Sequence, residues 1–127
     1  MTTRALVRPR TVAEALALLD GEEEARPLAG GASLVAMMNA DLLSPSLLVS
    51  LRDIAELKGI SPAPGGGLRI GAMTRHYETA AAADLSGTLA VLRAAAGRIA
   101  NPPVRNMGTM GGSISLADPG ADYPAAL

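Results

Sequence analysis

Two short segments hold the residue types from which a binding site can be built, Ala29-Gly30-Gly31-Ala32-Ser33 and Thr109-Met110-Gly111-Gly112-Ser113. Each joins a pair of glycines to small hydroxyl residues. Without a Cβ, adjacent glycines let successive backbone N–H groups turn toward one point, which is the geometry of an anion nest. The first pair also stands between a strand-like stretch, 26–29, and an apolar run, Leu34 to Met38, of helical character. Its nest therefore opens at a helix N-terminus, where partial positive charge favours phosphate. Ser33 has two roles open to it, capping that helix or donating to a phosphate oxygen. Two such nests face to face would suit a pyrophosphate held by backbone donors. Taken singly, a glycine pair between strand and helix is more often only a turn. Neither segment is a Walker A loop, because the sole lysine, Lys58, lies in neither, and no Gly-x-Gly-x-x-Gly follows a strand.

Composition limits what those loops can do. The chain has 127 residues, 49% hydrophobic and 18% charged, which is one globular domain's worth. It has no cysteine, so no disulfide, no thiolate-held iron–sulfur cluster and no cysteine zinc site can form. A single histidine, His76, does not make a metal site, and none is expected. Redox chemistry would have to come from an organic cofactor. Basic residues number 11 against 12 acidic, without the excess that neutralising a nucleic-acid backbone requires. No stretch approaches the ~20 apolar residues of a membrane span, and no apolar leader is evident, so the expected compartment is the cytoplasm. Aromatics are 2% of the chain, Tyr77 and Tyr123 alone. A core of short aliphatics buries less area against the entropy of ordering, so support from a ligand or partner is expected.

The positioning elements follow from periodicity. Thr11-Val12-Ala13-Glu14 has the capping-box pattern, and a helix with Val12, Ala15, Leu16, Leu18 and Leu19 on one face should run to Gly21, a left-handed cap. Glu22-Glu23-Glu24 is a solvated loop. Leu47 to Leu51 is a buried strand, 52–57 a short turn or helical piece, and Pro62 to Gly67 a hairpin or loop leading into an alternating strand over 68–72. Helices are expected from Thr74 to Ala83 and from Thr88 to Ala100, the second ended by Asn101-Pro102-Pro103. The remainder is glycine-punctuated. Alternating strands and helices predict an α+β (mixed α/β) class, with a mixed sheet.

Together the loops and their flanks resemble the FAD-binding subunit of the molybdenum hydroxylases, the family of aerobic carbon monoxide dehydrogenase and xanthine dehydrogenase. The resembling segments are 27–34, Leu47-Leu48-Val49-Ser50-Leu51, Ile54, 57–60, Ile70-Gly71-Ala72-Met73-Thr74, Val104 to Ser113 and Ala117 to Pro124. Their order and spacing carry the likeness. It implies the N-terminal portion of a two-subdomain FAD-binding domain, with residues 1–57 in the first subdomain and 58–127 opening the second.

The resemblance places the FAD pyrophosphate between the loops. Leu28, Ala29, Gly30, Gly31, Ala32, Ser33 and Leu34 would form the first nest, and Thr109, Gly111, Gly112 and Ser113 the second. Asp122 matches an acidic position near the cofactor's polar chain, where a carboxylate accepts from ribityl or ribose hydroxyls; a helix N-cap is the competing role. Ile99 matches an apolar position near the cofactor, and core packing explains it equally well. Arg105 and Asn106 would position the second loop, with a phosphate contact as the lesser role, while His76 and Tyr77 are structural or exposed.

No residue is expected to be catalytic, since the flavin does the redox work. The implied role is electron relay between an iron–sulfur subunit and an acceptor, with substrate oxidised on a molybdopterin-containing large subunit. Members of that family are more than twice as long, so the chain is expected to be a fragment or to be completed by another chain that supplies the rest of the flavin domain. Two other readings remain open at this point: an assembly module that binds partners without FAD, and a small independent nucleotide-binding domain.

Overall fold

A computed structural model describes residues 5–127. The first half runs β1 (Ala5–Val7), α1 (Val12–Asp20), β2 (Ala25–Leu28), α2 (Leu34–Asn39) and β3 (Leu47–Ser50). The strands pair in the order β1-β3-β2, all parallel, with Ala5 opposite Leu47 and Leu28 opposite Ser50. Parallel neighbours require crossovers, and α1 and α2 supply them. Alternation along β3 turns Leu47 and Val49 toward one core with Ala15 and Ile54, joined by Val12, Leu18 and Leu19 of α1. At the carboxyl end of the sheet, the Arg8 guanidinium donates to both carboxylate oxygens of Asp53, at 2.8 and 3.1 Å, tying the exit of β1 to the exit of β3. That hydrogen bond holds the Asp53 carboxyl below its ordinary range.

The expected capping of α1 is present: the Thr11 hydroxyl accepts from the Glu14 amide at 3.1 Å, and the Glu14 carboxylate receives the Arg10 amide at 2.8 Å. Gly21 departs from expectation. Its φ of −75° is right-handed, because its N–H closes the last turn on Ala17 and the chain leaves without reversing. The acidic loop is exposed as expected, and Glu22 also accepts from the Ser46 hydroxyl.

A 3-10 turn, Ala55–Leu57, closes the first half with Leu57 against its core, and the second half begins with a hairpin of β4 (Ile60–Pro62) and β5 (Leu68–Ile70), antiparallel with Ile60 opposite Ile70. The expected mixed sheet is thus two separate sheets, one parallel and one antiparallel. Five helices follow: α3 (His76–Ala81), α4 (Ala90–Arg98), α5 (Pro102–Met107), α6 (Met110–Leu116) and α7 (Asp122–Ala126), with a 3-10 turn at Gly87–Leu89 before α4. α3 starts later than Thr74 because Ala72 and Met73 form a turn, closed by the Thr74 amide on Gly71 O at 2.9 Å, and Arg75 bridges to Thr109.

The glycine-punctuated end is helical, contrary to its composition. Asn101 caps α5 through its side-chain oxygen, which accepts from Val104 at 3.0 Å, and Pro102 and Pro103 occupy the first helical positions, where a missing N–H costs nothing. Asp122 is the first residue of α7, with Ala121 as its N-cap, so the capping role considered for Asp122 does not hold.

A second core gathers Leu85, Leu92, Ala96, Met110 and Tyr123, with Ile70 and Ile99 against it. Tyr123 is fully buried, so the aromatic-poor chain centres this core on one of its two rings. His76 is buried beside it, its Nδ1 3.0 Å from the Tyr123 hydroxyl. Burial lowers the His76 pKa below 6.5 and raises that of Tyr123, the latter opposed by a hydrogen bond with Thr79. Folding therefore favours neutral His76, and the unfolded chain binds the proton first. Stability from this source is complete above pH 6.5 and is lost as pH falls from 6.5 through the lower folded value. Urea denaturation midpoints across that window should drop in the native protein, and a His76→Gln variant should lack this part of the dependence.

Candidate functional site

The structure brings the two glycine loops together. The first leaves the carboxyl end of β2, and its backbone rests on the turn between α5 and α6. A Cβ on Gly30 would lie 1.7 Å from the Met107 carbonyl oxygen, so only glycine permits the approach. A Cβ on Gly112 would stand 3.7 Å from that of Ala29, which places the second pair across from the first.

The loops differ in what they can offer. Among the described residues, none of the backbone amides from Gly30 to Leu34 donates to another protein group. Gly31 sits at φ +82°, a conformation that favours glycine, and Leu28 and Val35 fill the space beside it. The Ser33 side chain is exposed and makes no capping bond to α2. A row of free donors beside a free hydroxyl is an arrangement that a phosphate oxygen completes.

In the second loop the amides are already satisfied. Met110 N–H donates to Thr74 O at 2.9 Å, Gly111 N–H to Ala72 O at 2.8 Å, and Gly112 N–H to the Thr109 hydroxyl at 3.1 Å. The open second nest expected from the glycine pair is therefore a packed turn. Its glycines serve close approach: a Cβ on Gly111 would meet Ala72 at 2.6 Å, and one on Gly108 would meet the His76 ring at 2.4 Å. Thr109 is a buried cap rather than an exposed donor. Ser113 is half-buried, with no hydrogen bond from its side chain to the described residues, and remains the polar group this loop can present.

Asp122 is exposed on the first turn of α7 and has no protein partner among the described residues. Arg105 donates to the carbonyls of Ile99 and Ala100, at 2.8 and 3.2 Å, bracing the left-handed turn at Ala100. In that setting it supports the approach to α5 and makes no side-chain hydrogen bond to either glycine loop among the described residues. Asn106 is exposed, and Ile99 packs against the second core.

Sequence reasoning missed the strip Ala72 to His76, which zips to Gly108–Gly111 through the Met110 and Gly111 bonds and a third, His76 N–H to Gly108 O at 3.1 Å. No local pattern announces that contact; it joins segments more than thirty residues apart. An open concavity of about 670 Å³ lined by Arg8, Arg10, Asp53 and Lys58 lies apart from the glycine loops. Among the described residues no group of His, Asp and Glu could hold a metal, and no helix is long and apolar enough to cross a membrane.

Free amides at the carboxyl end of a parallel strand, facing a second glycine turn in an α+β fold, are an arrangement suited to the phosphates of an organic cofactor. Residues 2–127 match the family described as "FAD binding domain in molybdopterin dehydrogenase". The chain belongs to that family, whose cofactor is FAD. It is 44% identical over 121 residues to the carbon monoxide dehydrogenase medium chain of Afipia carboxidovorans, covering 94% of this chain and 42% of the relative. The glyceraldehyde dehydrogenase medium chain of Sulfolobus acidocaldarius is 37% identical, over 95% of this chain and 43% of its own. A solved structure of reconstituted CO dehydrogenase from Oligotropha carboxidovorans superposes with a TM-score of 0.91 at 43% identity, covering 97% of this chain and 43% of that one. The chain thus spans somewhat under half the length of these relatives.

The Gly30 contact can be tested without a ligand. Gly30→Ala should cost roughly 3 kcal/mol or more in urea denaturation, because the methyl group meets backbone that cannot yield. Gly67→Ala, in open space at a φ any residue tolerates, should change stability by less than about 0.5 kcal/mol.

Proposed function

We propose that this chain is the FAD-holding part of an electron-relay component of a molybdenum hydroxylase, working in the cytoplasm with an iron–sulfur subunit and a molybdopterin-containing large subunit. The single observation that carries the reading is the row of free amides from Gly30 to Leu34, opposite the second glycine turn, in a chain of this family. A flavin-free assembly module would leave those donors unexplained.

The residues fit the cofactor's polar part. The amides of 30–34 and the Ser33 hydroxyl would bind the pyrophosphate, with Leu28 and Ala29 setting the approach of the loop. Ser113 would donate from the facing turn, while Thr109, Gly111 and Gly112 hold that turn in place. Asp122 would accept from hydroxyls of the ribityl or ribose portion. Bound FAD supplies two-electron redox chemistry, and the protein's part is to bind and orient it. On this reading residues 1–57 and 58–127 are two subdomains, a division supported by the two separate cores. A further chain or segment would complete the flavin domain, as the greater length of the relatives suggests.

Ser33→Ala gives the sharpest test, because the hydroxyl makes no bond within the fold. Denaturation midpoints should stay unchanged while the FAD dissociation constant, measured by flavin fluorescence, rises several-fold, as for loss of a hydrogen bond to a charged group. Unchanged affinity in both Ser33→Ala and Asp122→Ala, or a natural complex devoid of flavin, would refute the proposal.

A further inference from the structure

His76 and Tyr123 are buried polar groups that the proposed binding roles leave unused. We infer that they are a positioning pair for the flavin site: their hydrogen bond locks the second glycine turn and the Asp122 end of α7 together, so that Ser113 and Asp122 are presented at a fixed separation. The inference rests on the flavin reading above.

The path is continuous. On one side, His76 N–H donates to Gly108 O at 3.1 Å, and the imidazole fills the place a Cβ on Gly108 would take. The ring is thus wedged against the entry of the turn. Next comes Thr109, the cap of α6, the helix that carries Ser113. On the other side, Tyr123 follows Asp122 directly and packs in one core with Met110, the first residue of α6. Between them, Nδ1 and the phenol oxygen are 3.0 Å apart, with ring centroids at 5.2 Å and planes inclined by 58°. Thr79, buried on α3 one turn after His76, donates its hydroxyl to Arg75 O at 3.3 Å and so braces the start of that helix.

An apolar pair could fill the same space, but its packing has no direction. A hydrogen bond between two buried groups is satisfied in one setting of α7 against α3 and leaves both groups costly in any other. The chain, which has no Phe or Trp, places its one buried aromatic ring here.

The test is Tyr123→Phe, which keeps the ring and removes the hydroxyl, made in the intact natural protein. FAD dissociation constants should rise about five-fold, the usual net worth of one neutral hydrogen bond. The rise should vanish in an Asp122→Ala background, because the pair acts through the placement of Asp122. His76→Leu should reproduce the effect from the other side, which keeps the test decisive if Tyr123→Phe folds poorly. His76→Asn, with an oxygen where Nδ1 stands, should restore affinity to within about two-fold. Unchanged affinity in Tyr123→Phe and His76→Leu overturns the inference, and so does an equal loss with and without Asp122, the mark of a merely structural role. Should Asp122→Ala and Ser33→Ala both leave affinity intact, the flavin reading fails and the pairing falls with it. A response to Asp122→Ala without one to Tyr123→Phe rejects the pairing alone.

Discussion

Where the two halves of the molecule meet at the glycine loops, one close approach sets their register, the backbone of Gly30 on the carbonyl of Met107. The Met73 amide on Leu57 O and Arg69 on Glu56 O tie them near the chain crossing. Each half has its own core, one around Val49 and Ile54 and the other around Leu92, Met110 and Tyr123. Neither core spans the boundary. The glycine contact is where the carboxyl end of the parallel sheet meets the helical half, and at that seam both glycine loops converge. A side chain at position 30 would separate them. The same absence of a Cβ that permits the approach leaves the following amides uncovered, so packing and binding capacity have a common origin.

The accounting of backbone amides then divides the labour between loops that look alike in sequence. Those of Gly30 to Leu34 have no partner among the described residues, whereas those of Met110 to Gly112 are satisfied by Thr74, Ala72 and Thr109. Satisfied donors cannot also bind a phosphate without giving up a bond inside the fold. The first loop is therefore the one with backbone donors left to offer, and the second is a packed wall that presents a few side chains.

Poverty in aromatics shapes how that wall is built. With no Phe or Trp, the helical core rests on Tyr123, and the short helices around it carry exposed apolar residues such as Ile114 and Leu116. α2 buries none of its residues despite the run Leu34 to Met38. Fixed geometry in such a thin core comes from directed bonds as much as from area: Arg105 on the turn before α5, the strip Ala72 to His76 on the second loop, and the His76–Tyr123 link. Proton uptake by His76 bears on the last of these, which joins acid stability to the shape of the site.

By itself the sequence determined the α+β class, the strand–glycine turn–helix order around Gly30, the cap at Thr11, the location of both loops and, through the pattern 27–34 with 104–124, the family. These are short-range features, written as spacing and residue type within a few positions, and spacing survives into the fold. Tertiary structure alone decided that Gly108–Ser113 belongs to helices and packed turns, that Gly111 is small for Ala72 rather than for a ligand, and that His76 pairs with Tyr123 across 47 positions. Whether a glycine amide is free or occupied depends on which distant carbonyl reaches it, and that is settled only when the chain closes on itself.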